Sequence, residues 1–297
     1  MPRVSVIIPT YNRAALVLEA IGSVLRQSCR DFEVIVCDDG STDETEARVR
    51  VVGPPVRYLR SRHTGRPGSP RNRGVEAARG ELVAFLDDDD LWEADKLARQ
   101  VDLFDRKPEL SVVYTDRRLL FSDRSTSSPV ASPQATLPGE IFELALRGQF
   151  PFLGTAMVRM ELLRKVGGFD ETLTTAEDLD LWLRLGRIAQ AARVPEPLVL
   201  VRRRLGTLSD RSGTLPFDNA IFVLKRSLAT GELELPQSLR CRRTLAHMHA
   251  RLAAVLRREG EIARPTRAAL EAVRYALGSS AAWALCLKVL HGKSSSG

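Results

Sequence analysis

Asp87, Asp88, Asp89 and Asp90 stand in a row directly behind the apolar run Leu82-Val83-Ala84-Phe85-Leu86. Such a run reads as a buried strand, which places four carboxylates at its C-terminal end, where open α/β sheets hold their ligands. Like charges this close repel unless a cation is shared between them, and an all-oxygen cluster suits Mg²⁺ or Mn²⁺. The predicted chemistry is a divalent ion carrying a diphosphate. The competing explanation is an acidic start for a helix beginning near Trp92, because anions are favoured at helix N-termini. One aspartate would suffice for that purpose.

A second acidic pair, Glu177-Asp178, precedes Leu179-Asp180-Leu181-Trp182-Leu183-Arg184-Leu185. The Leu, Trp and Leu spacing predicts an amphipathic helix with the pair in its first turn. From there a carboxylate either caps the helix or reaches a pocket edge as a general base. Asp180 reads as supporting and Trp182 as core. Upstream, Asp38-Asp39-Gly40-Ser41-Thr42-Asp43 closes an apolar run with two carboxylates and a glycine turn, and Ser41 or Asp43 can equally be a cap. The stretch from His63 to Gly74 sets Arg66, Arg71 and Arg73 around a predicted helix start, an arrangement that suits an anion. It lacks the GxxxxGK[ST] spacing of a P-loop.

The elements that must carry these residues alternate. Val4 to Ile8, Phe32 to Cys37, Val56 to Leu59 and Leu82 to Leu86 read as strands; Ala14 to Arg26, Thr42 to Val51 and Arg71 to Ala78 read as helices between them. This alternation predicts a mostly parallel α/β sheet flanked by helices, with a nucleotide across the strand ends. Gly154 to Val158 reads as a further strand and Gly167-Gly168-Phe169-Asp170 as a helix stop with a tight loop. Ser122 to Pro138, rich in Ser, Pro and Thr, reads as a mobile loop beside the site. After about Leu215 the pattern turns helical and basic, through Leu245 to Arg258, Thr266 to Leu277 and Ala281 to Leu290.

Composition narrows the classes. At 297 residues and 44% hydrophobic content the chain can bury a large core. Its net charge of +7 and pI near 9.6 admit nucleic acid, anionic lipid or phosphorylated ligands, and the absence of any nucleic-acid-reading motif argues against the first. Four scattered cysteines without CxxC spacing suggest neither zinc nor a disulfide framework. No signal-peptide pattern and no long uncharged apolar run is found. A cytoplasmic protein is expected.

Val4-Ser5-Val6-Ile7-Ile8-Pro9-Thr10-Tyr11-Asn12-Arg13, Val36-Cys37-Asp38-Asp39-Gly40-Ser41-Thr42-Asp43, Arg71-Asn72-Arg73-Gly74 and Phe85 to Asp90 together resemble the ordered signature of glycosyltransferase family 2. The resemblance continues through Gly154-Thr155-Ala156, Gly167 to Asp170 and Glu177 to Trp182, and so covers roughly residues 3 to 210. It implies a GT-A fold, a Rossmann-like sheet with a helical C-terminal extension. It also implies a nucleotide-diphosphate sugar donor, with UDP favoured, a Mn²⁺ or Mg²⁺ ion, and transfer with inversion to a glycan or lipid-linked acceptor.

Carried over position by position, the resemblance gives Pro9, Thr10, Tyr11, Asn12, Asp39 and Arg71 to the nucleotide, with Tyr11 offering a stacking surface and Asp39 accepting a uracil N–H. Asp87 and Asp88 are the ribose candidates, Asp89 the metal ligand and Asp178 the base, supported by Glu177. Asp90 is left to cap the following helix and Asn72 to hold its loop. The family's closing segment often has a histidine where this chain has Arg204; Arg202 and Arg204 are then candidate phosphate contacts. The expected domains are a catalytic one over residues 1–214, with a nucleotide-sugar half to about 92 and an acceptor half beyond, and a basic helical extension over 215–297. That extension would pack on the catalytic domain, pair two subunits, or lie on the cytoplasmic face of an anionic membrane. With no Gln-any-any-Arg-Trp motif after the acidic pair, a single transfer is expected rather than processive synthesis. A sugar nucleotidyltransferase lacks its glycine- and lysine-rich start here, and an inactive binding homologue would not need carboxylates at 39, 89 and 178.

Overall fold

Val4, Val6, Ile7 and Ile8 give the first strand β-branched side chains on both faces, and all are buried, as a central strand covered by helices on two sides requires. The computed structural model describes residues 1–203, 214–258 and 263–275. Strands β1 (Val4–Thr10), β2 (Phe32–Asp38), β3 (Val56–Arg60) and β4 (Leu82–Phe85) alternate with helices α1 (Ala14–Leu25), α2 (Thr45–Val52) and α3 (Gly68–Ala77). All four strands pair in parallel, with β1 between β2 and β4, so their C-terminal ends share one edge. The second half adds β5 (Leu91–Trp92), α4 (Lys96–Arg106), β6 (Val112–Leu120), α5 (Glu140–Leu146), β7 (Ala156–Arg159), α6 (Met160–Lys165), α7 (Glu177–Leu185) and β8 (Ala191–Arg202). The eight strands form one sheet in the order β3-β2-β1-β4-β7-β6-β8-β5, in which β7 runs antiparallel to β4 and β6. The mostly parallel α/β sheet is as expected, and the antiparallel β7 is added by the structure.

Local boundaries differ in ways that matter for the site. The helix expected near Trp92 starts at Lys96, because Leu91 and Trp92 instead pair antiparallel with Leu200 and Val199. Trp92 is buried there, with its backbone N–H donating to Ser23 Oγ and its indole N–H to the Gly154 carbonyl. Asp90 therefore caps no helix. Helix α3 begins at Gly68, ahead of the expected Arg71, so Arg71 lies inside its first turn. Gly74 lets α3 approach the sheet closely: a Cβ there would stand 2.5 Å from Ile7 Cγ2 and 2.9 Å from Cys37 Sγ. Leu153–Thr155 is a 3-10 turn ahead of β7 rather than part of a strand. The 122–138 stretch is irregular as expected, but its second half is fastened to β6: the Ser132 N–H donates to Asp116 Oδ1, and Tyr114 accepts from the Ala135 N–H and donates to the Pro133 carbonyl.

The chain divides into two compact units, one of Met1–Phe142 with Phe150–Arg204 and one of Glu143–Gln149 with the residues from Leu205 onward. In the second, α8 (Leu215–Ala229), α9 (Leu235–Arg258) and α10 (Ala263–Tyr275) pack together. Cys241 meets the Leu224 carbonyl and Arg251 lies over Phe217, so α8 and α9 are antiparallel. Ala250 packs near Ala272 and Ala246 near Tyr275, so α9 and α10 are antiparallel as well. It follows that α8 and α10 run in the same direction. The predicted helix over Ala281 to Leu290 lies outside the described residues. Among them no helix is long and apolar enough to cross a membrane.

Candidate active site

The ends of β1, β2 and β4, the start of α3 and the start of α7 converge on one acidic and cationic cluster. A tight turn follows β4, with the Asp90 N–H donating to the Asp87 carbonyl, and it sends the four carboxylates to different partners. Asp87 accepts from Arg71 Nη2 at 2.6 Å. Asp88 is held by Thr10 Oγ1 at 2.8 Å through one oxygen and by Arg13 Nη1 at 2.7 Å through the other. The same Arg13 nitrogen lies 3.1 Å from Asp89 Oδ2. Asp90 turns away and accepts from the Arg202 backbone N–H, while Arg202 Nε donates to the Asp89 carbonyl and its Nη2 to Glu19. Arg202 thus braces the aspartate turn from β8. Arg204 lies outside the described residues.

Burial raises the carboxyl of Asp88 to about 6, with Asp89 adding to the shift and Arg13 opposing it. Asp90 is pushed well above the usual carboxylate range by burial and then by Asp87 and Asp89. Carboxylates that resist ionising in company are the electrostatic signature of a place where an added cation is welcome. Among the described residues no three His, Cys, Asp or Glu side chains form a ready-made metal cage. A Mg²⁺ or Mn²⁺ ion here would rely on one or two carboxylates plus ligand oxygens, the usual arrangement for ions that accompany phosphates. Asp89 fits that use: it is partly accessible and already faces a cationic nitrogen.

Arg71 joins this cluster to α7. Buried in the first turn of α3, it donates from Nη2 to Asp87 and from Nη1 to Glu177, both at 2.6 Å. Burial alone would lower its affinity for a proton, but the two carboxylates outweigh that and raise it. Asn72, the next residue, exchanges hydrogen bonds with the backbone of Phe169, donating to its carbonyl and accepting from its N–H. Gly168 makes that docking fit, since at φ +68° a Cβ would lie 2.5 Å from Asn72 Oδ1.

The acidic pair of α7 sits behind Ala176, which takes the N-cap position at φ 59° without a capping side chain. A left-handed alanine is an uncommon backbone state, held here where the chain turns into the site. Neither acid acts as the N-cap: Glu177 faces Arg71, and Asp178 accepts from the Leu179 N–H at 2.7 Å. Asp178 keeps part of its surface accessible although its carboxyl is densely surrounded. Burial and the neighbouring Glu177 charge raise it to about 7. Asp180 is occupied by Arg184, and Trp182 is fully buried.

On the β2 side, Asp38 organises its own turn through Ser41 and Tyr58. Asp39 accepts from the Thr64 and Gly65 N–H groups and the Thr64 hydroxyl, and His63 Nδ1 lies 3.0 Å away. Its carboxylate therefore secures the loop before α3. Tyr11 stacks on His63 with ring centroids 4.0 Å apart. Asn12, at φ 51°, uses its side-chain oxygen to accept from the Thr42 and Asp43 N–H groups, which ties the β1 and β2 loops together. Pro9 is paired with Cys37 inside the sheet. Three participants escape a reading of the sequence alone: Arg13, His63 and Glu19. Arg13 directly follows the Pro9 to Asn12 segment, and its position one residue before α1 was the available signal; His63 and Glu19 carry none, because their partners are 24 and 183 residues away. A separate open pocket of about 510 Å³, lined by Leu25, Arg26, Trp92 and Leu200 among others, includes none of these carboxylates.

With this geometry in view, the sequence model described as Glycosyl transferase family 2 matches residues 5–167. An uncharacterized glycosyltransferase of Rickettsia typhi is 31% identical over 207 residues, covering 68% of this chain and 64% of its own length; the chain therefore spans less than two thirds of that relative. The putative glycosyltransferase EpsE of Bacillus subtilis is 31% identical over 245 residues, 80% of this chain and 85% of that protein. Among solved structures, S. aureus TarS 1–349 in complex with UDP-GlcNAc superposes with a TM-score of 0.65 at 19% identity, covering 99% of this chain and 93% of that one. The mannosyltransferase PcManGT from Pyrobaculum calidifontis, in complex with GDP-Man and Mn²⁺, gives 0.59 at 20% identity over 99% and 88%. The structural likenesses bear on the fold, which is of the same GT-A type, and the sequence matches on descent: this chain belongs to glycosyltransferase family 2.

Proposed function

We propose that this glycosyltransferase moves one sugar from a nucleotide-diphosphate donor to a hydroxyl of a glycan or lipid-linked acceptor, with inversion and with a divalent metal. The observation that carries this reading is the buried guanidinium of Arg71, which joins Asp87 of the aspartate turn to Glu177, the immediate neighbour of Asp178. One rigid link thus sets a donor-binding turn against a carboxylate whose proton affinity suits a base at neutral pH.

In this reading Asp178 accepts the proton of the acceptor hydroxyl as that oxygen forms a bond to the anomeric carbon. The bond from that carbon to the diphosphate oxygen breaks on the opposite face, and the nucleoside diphosphate leaves with the electron pair. Glu177 holds Arg71 in place and keeps Asp178 basic. Thr10 orients Asp88, our ribose candidate together with Asp87; Arg202 orients Asp89, which would hold the metal. When bound, Mn²⁺ or Mg²⁺ neutralises the charge that develops on the leaving diphosphate. Tyr11 and Asp39 border the base, and UDP is favoured because the TarS structure holds UDP-GlcNAc, with GDP as the counter-case from PcManGT.

Residues 1–214 are the catalytic domain in this proposal and 215–297 a basic extension that meets an anionic membrane surface. Calorimetric titration of UDP and GDP with Mn²⁺, then with EDTA, tests the donor site on the wild type and on Asp89→Ala. Metal-dependent binding of one nucleotide, lost in the variant, is expected. Binding that ignores both EDTA and the substitution would sink the metal assignment.

A further inference from the structure

Arg13 is the cation that the fold itself places between Asp88 and Asp89. Its Nη1 is 2.7 Å from Asp88 Oδ1 and 3.1 Å from Asp89 Oδ2. Thr10 holds the second oxygen of Asp88, so that carboxylate cannot turn away to another partner without giving up a buried hydrogen bond. Arg13 itself stands one residue before α1, and 38% of its side chain is exposed. A guanidinium bound at one end of a long, partly exposed side chain can leave without moving the fold, whereas the carboxylates it neutralises cannot.

We propose that Arg13 is a resident counter-ion: it neutralises the Asp88–Asp89 pair until ligands arrive, gives up Asp89 to the divalent ion, and then binds the donor's diphosphate. This rests on the reading of Asp89 as a metal ligand. The chemistry is complementary on both sides of the exchange. A guanidinium and a divalent ion compete for Asp89 Oδ2, and a diphosphate offers the planar fork of the released guanidinium a bidentate partner. A metal ion arriving alone must displace a charge-assisted pair and leave Arg13 with water, while metal and nucleotide arriving together lose nothing. Arg13 thereby makes the two ligands depend on each other, and by linkage the dependence is equal in both directions.

Titration of Mn²⁺ alone, UDP alone, and each in the presence of the other, into wild type and Arg13→Gln, reads this directly; GDP replaces UDP where it is the nucleotide bound. In Arg13→Gln, Mn²⁺ alone is expected to bind several-fold more tightly than in the wild type, since its competitor is gone. The factor by which nucleotide and Mn²⁺ strengthen one another is expected to fall by about tenfold. Arg13→Lys, which keeps a cation without the bidentate fork, is expected to fall between. A merely structural Arg13 would show weaker Mn²⁺ binding in the glutamine variant, or none of these changes, and either result overturns the proposal. Asp89→Asn separates the two readings: if it leaves Mn²⁺ binding intact, the metal assignment fails, and if it abolishes binding while Arg13→Gln changes nothing, only the counter-ion role fails. Unchanged melting of both variants in EDTA shows that the fold is intact, and should Arg13→Gln melt early, Arg13→Lys carries the test alone.

Discussion

To act as the proposed base Asp178 must be ionised, and burial beside Glu177 holds it protonated up to about pH 7. Turnover is therefore expected to fall as pH drops through about 7, and Asp178→Asn to lose roughly 10² to 10⁴ in kcat, the usual contribution of a positioned base. Glu177→Gln removes the neighbouring charge that raises Asp178, so the acid limb of the pH–rate profile should move to lower pH in that variant. A limb that does not move would separate Glu177 from the base. The same raised value has a stability consequence of definite sign. Between the ordinary carboxylate range and about pH 7 the folded protein binds a proton at Asp178 that the unfolded chain releases, so this group costs stability as pH rises through that window. Asp178→Asn, which removes the cost, should melt higher than wild type at pH 8 and lose that advantage at pH 4. Calorimetric melting at the two pH values checks it. A residue that lowers stability in the state where it would act is what a base in a crowded pocket looks like.

At the scale of elements, the site depends on how closely α3 sits on the sheet and on what Arg71 spans. Replacing Arg71 by Met leaves Asp87 and Glu177 without their shared cation; a loss of about 3 kcal/mol, in the range for breaking a buried ion pair, is expected in urea unfolding. Arg71→Lys should recover only part, because one ammonium cannot reach two carboxylates as a fork does. Gly74→Ala drives a methyl against Ile7 and Cys37 and should cost about 1–3 kcal/mol, with weaker nucleotide binding as α3 shifts. If Gly74→Ala melts like wild type, α3 does not hold Arg71 in place through that contact. These elements were legible in the chain because alternating apolar runs and breakers are local signals: the strands from Val4, Phe32, Val56 and Leu82 fall within a few residues of expectation. The Asp87–Asp90 cluster at the end of β4 and the Glu177-Asp178 helix start were legible for the same reason. What bound them together was not. Arg71 to Glu177 spans 106 positions and Arg202 to Asp90 spans 112, and only the folded sheet shows that such side chains meet. Trp92 misled the reading of α4 because antiparallel pairing of Leu91 and Trp92 with Leu200 and Val199, far along the chain, makes it part of an edge strand.

Across the whole molecule the charge is unevenly divided. Residues 215–297 contain 13 Lys and Arg against 6 Asp and Glu, a net +7 that equals the charge of the entire chain, so residues 1–214 are electroneutral with 31 of each sign. The basic surplus of the chain therefore lies in residues 215–297. In the helical unit, α8 and α10 run in the same direction, and Lys225 of one lies 3.8 Å from Glu271 of the other. With 3.6 residues per turn, Phe222 and Arg226 lie to one side of Lys225, and Arg267, Leu270 and Arg274 to the matching side of Glu271, so in parallel helices these residues share a face. Phe222 is 52% and Leu270 60% exposed. Apolar side chains among arginines suit an interfacial membrane contact, where each basic residue adds about 1 kcal/mol at an anionic surface. A soluble polyanion would use the arginines and leave Phe222 and Leu270 without purpose. The protein is expected to sediment with phosphatidylglycerol vesicles and not with phosphatidylcholine vesicles, less so at 0.5 M salt, and the Phe222→Ser, Leu270→Ser double variant to lose most of the binding while still taking up metal and nucleotide. Salt-sensitive binding that survives the double variant would assign the contact to charge alone. A dimer in light scattering that the double variant splits would instead make this face a subunit interface and remove the membrane from the account.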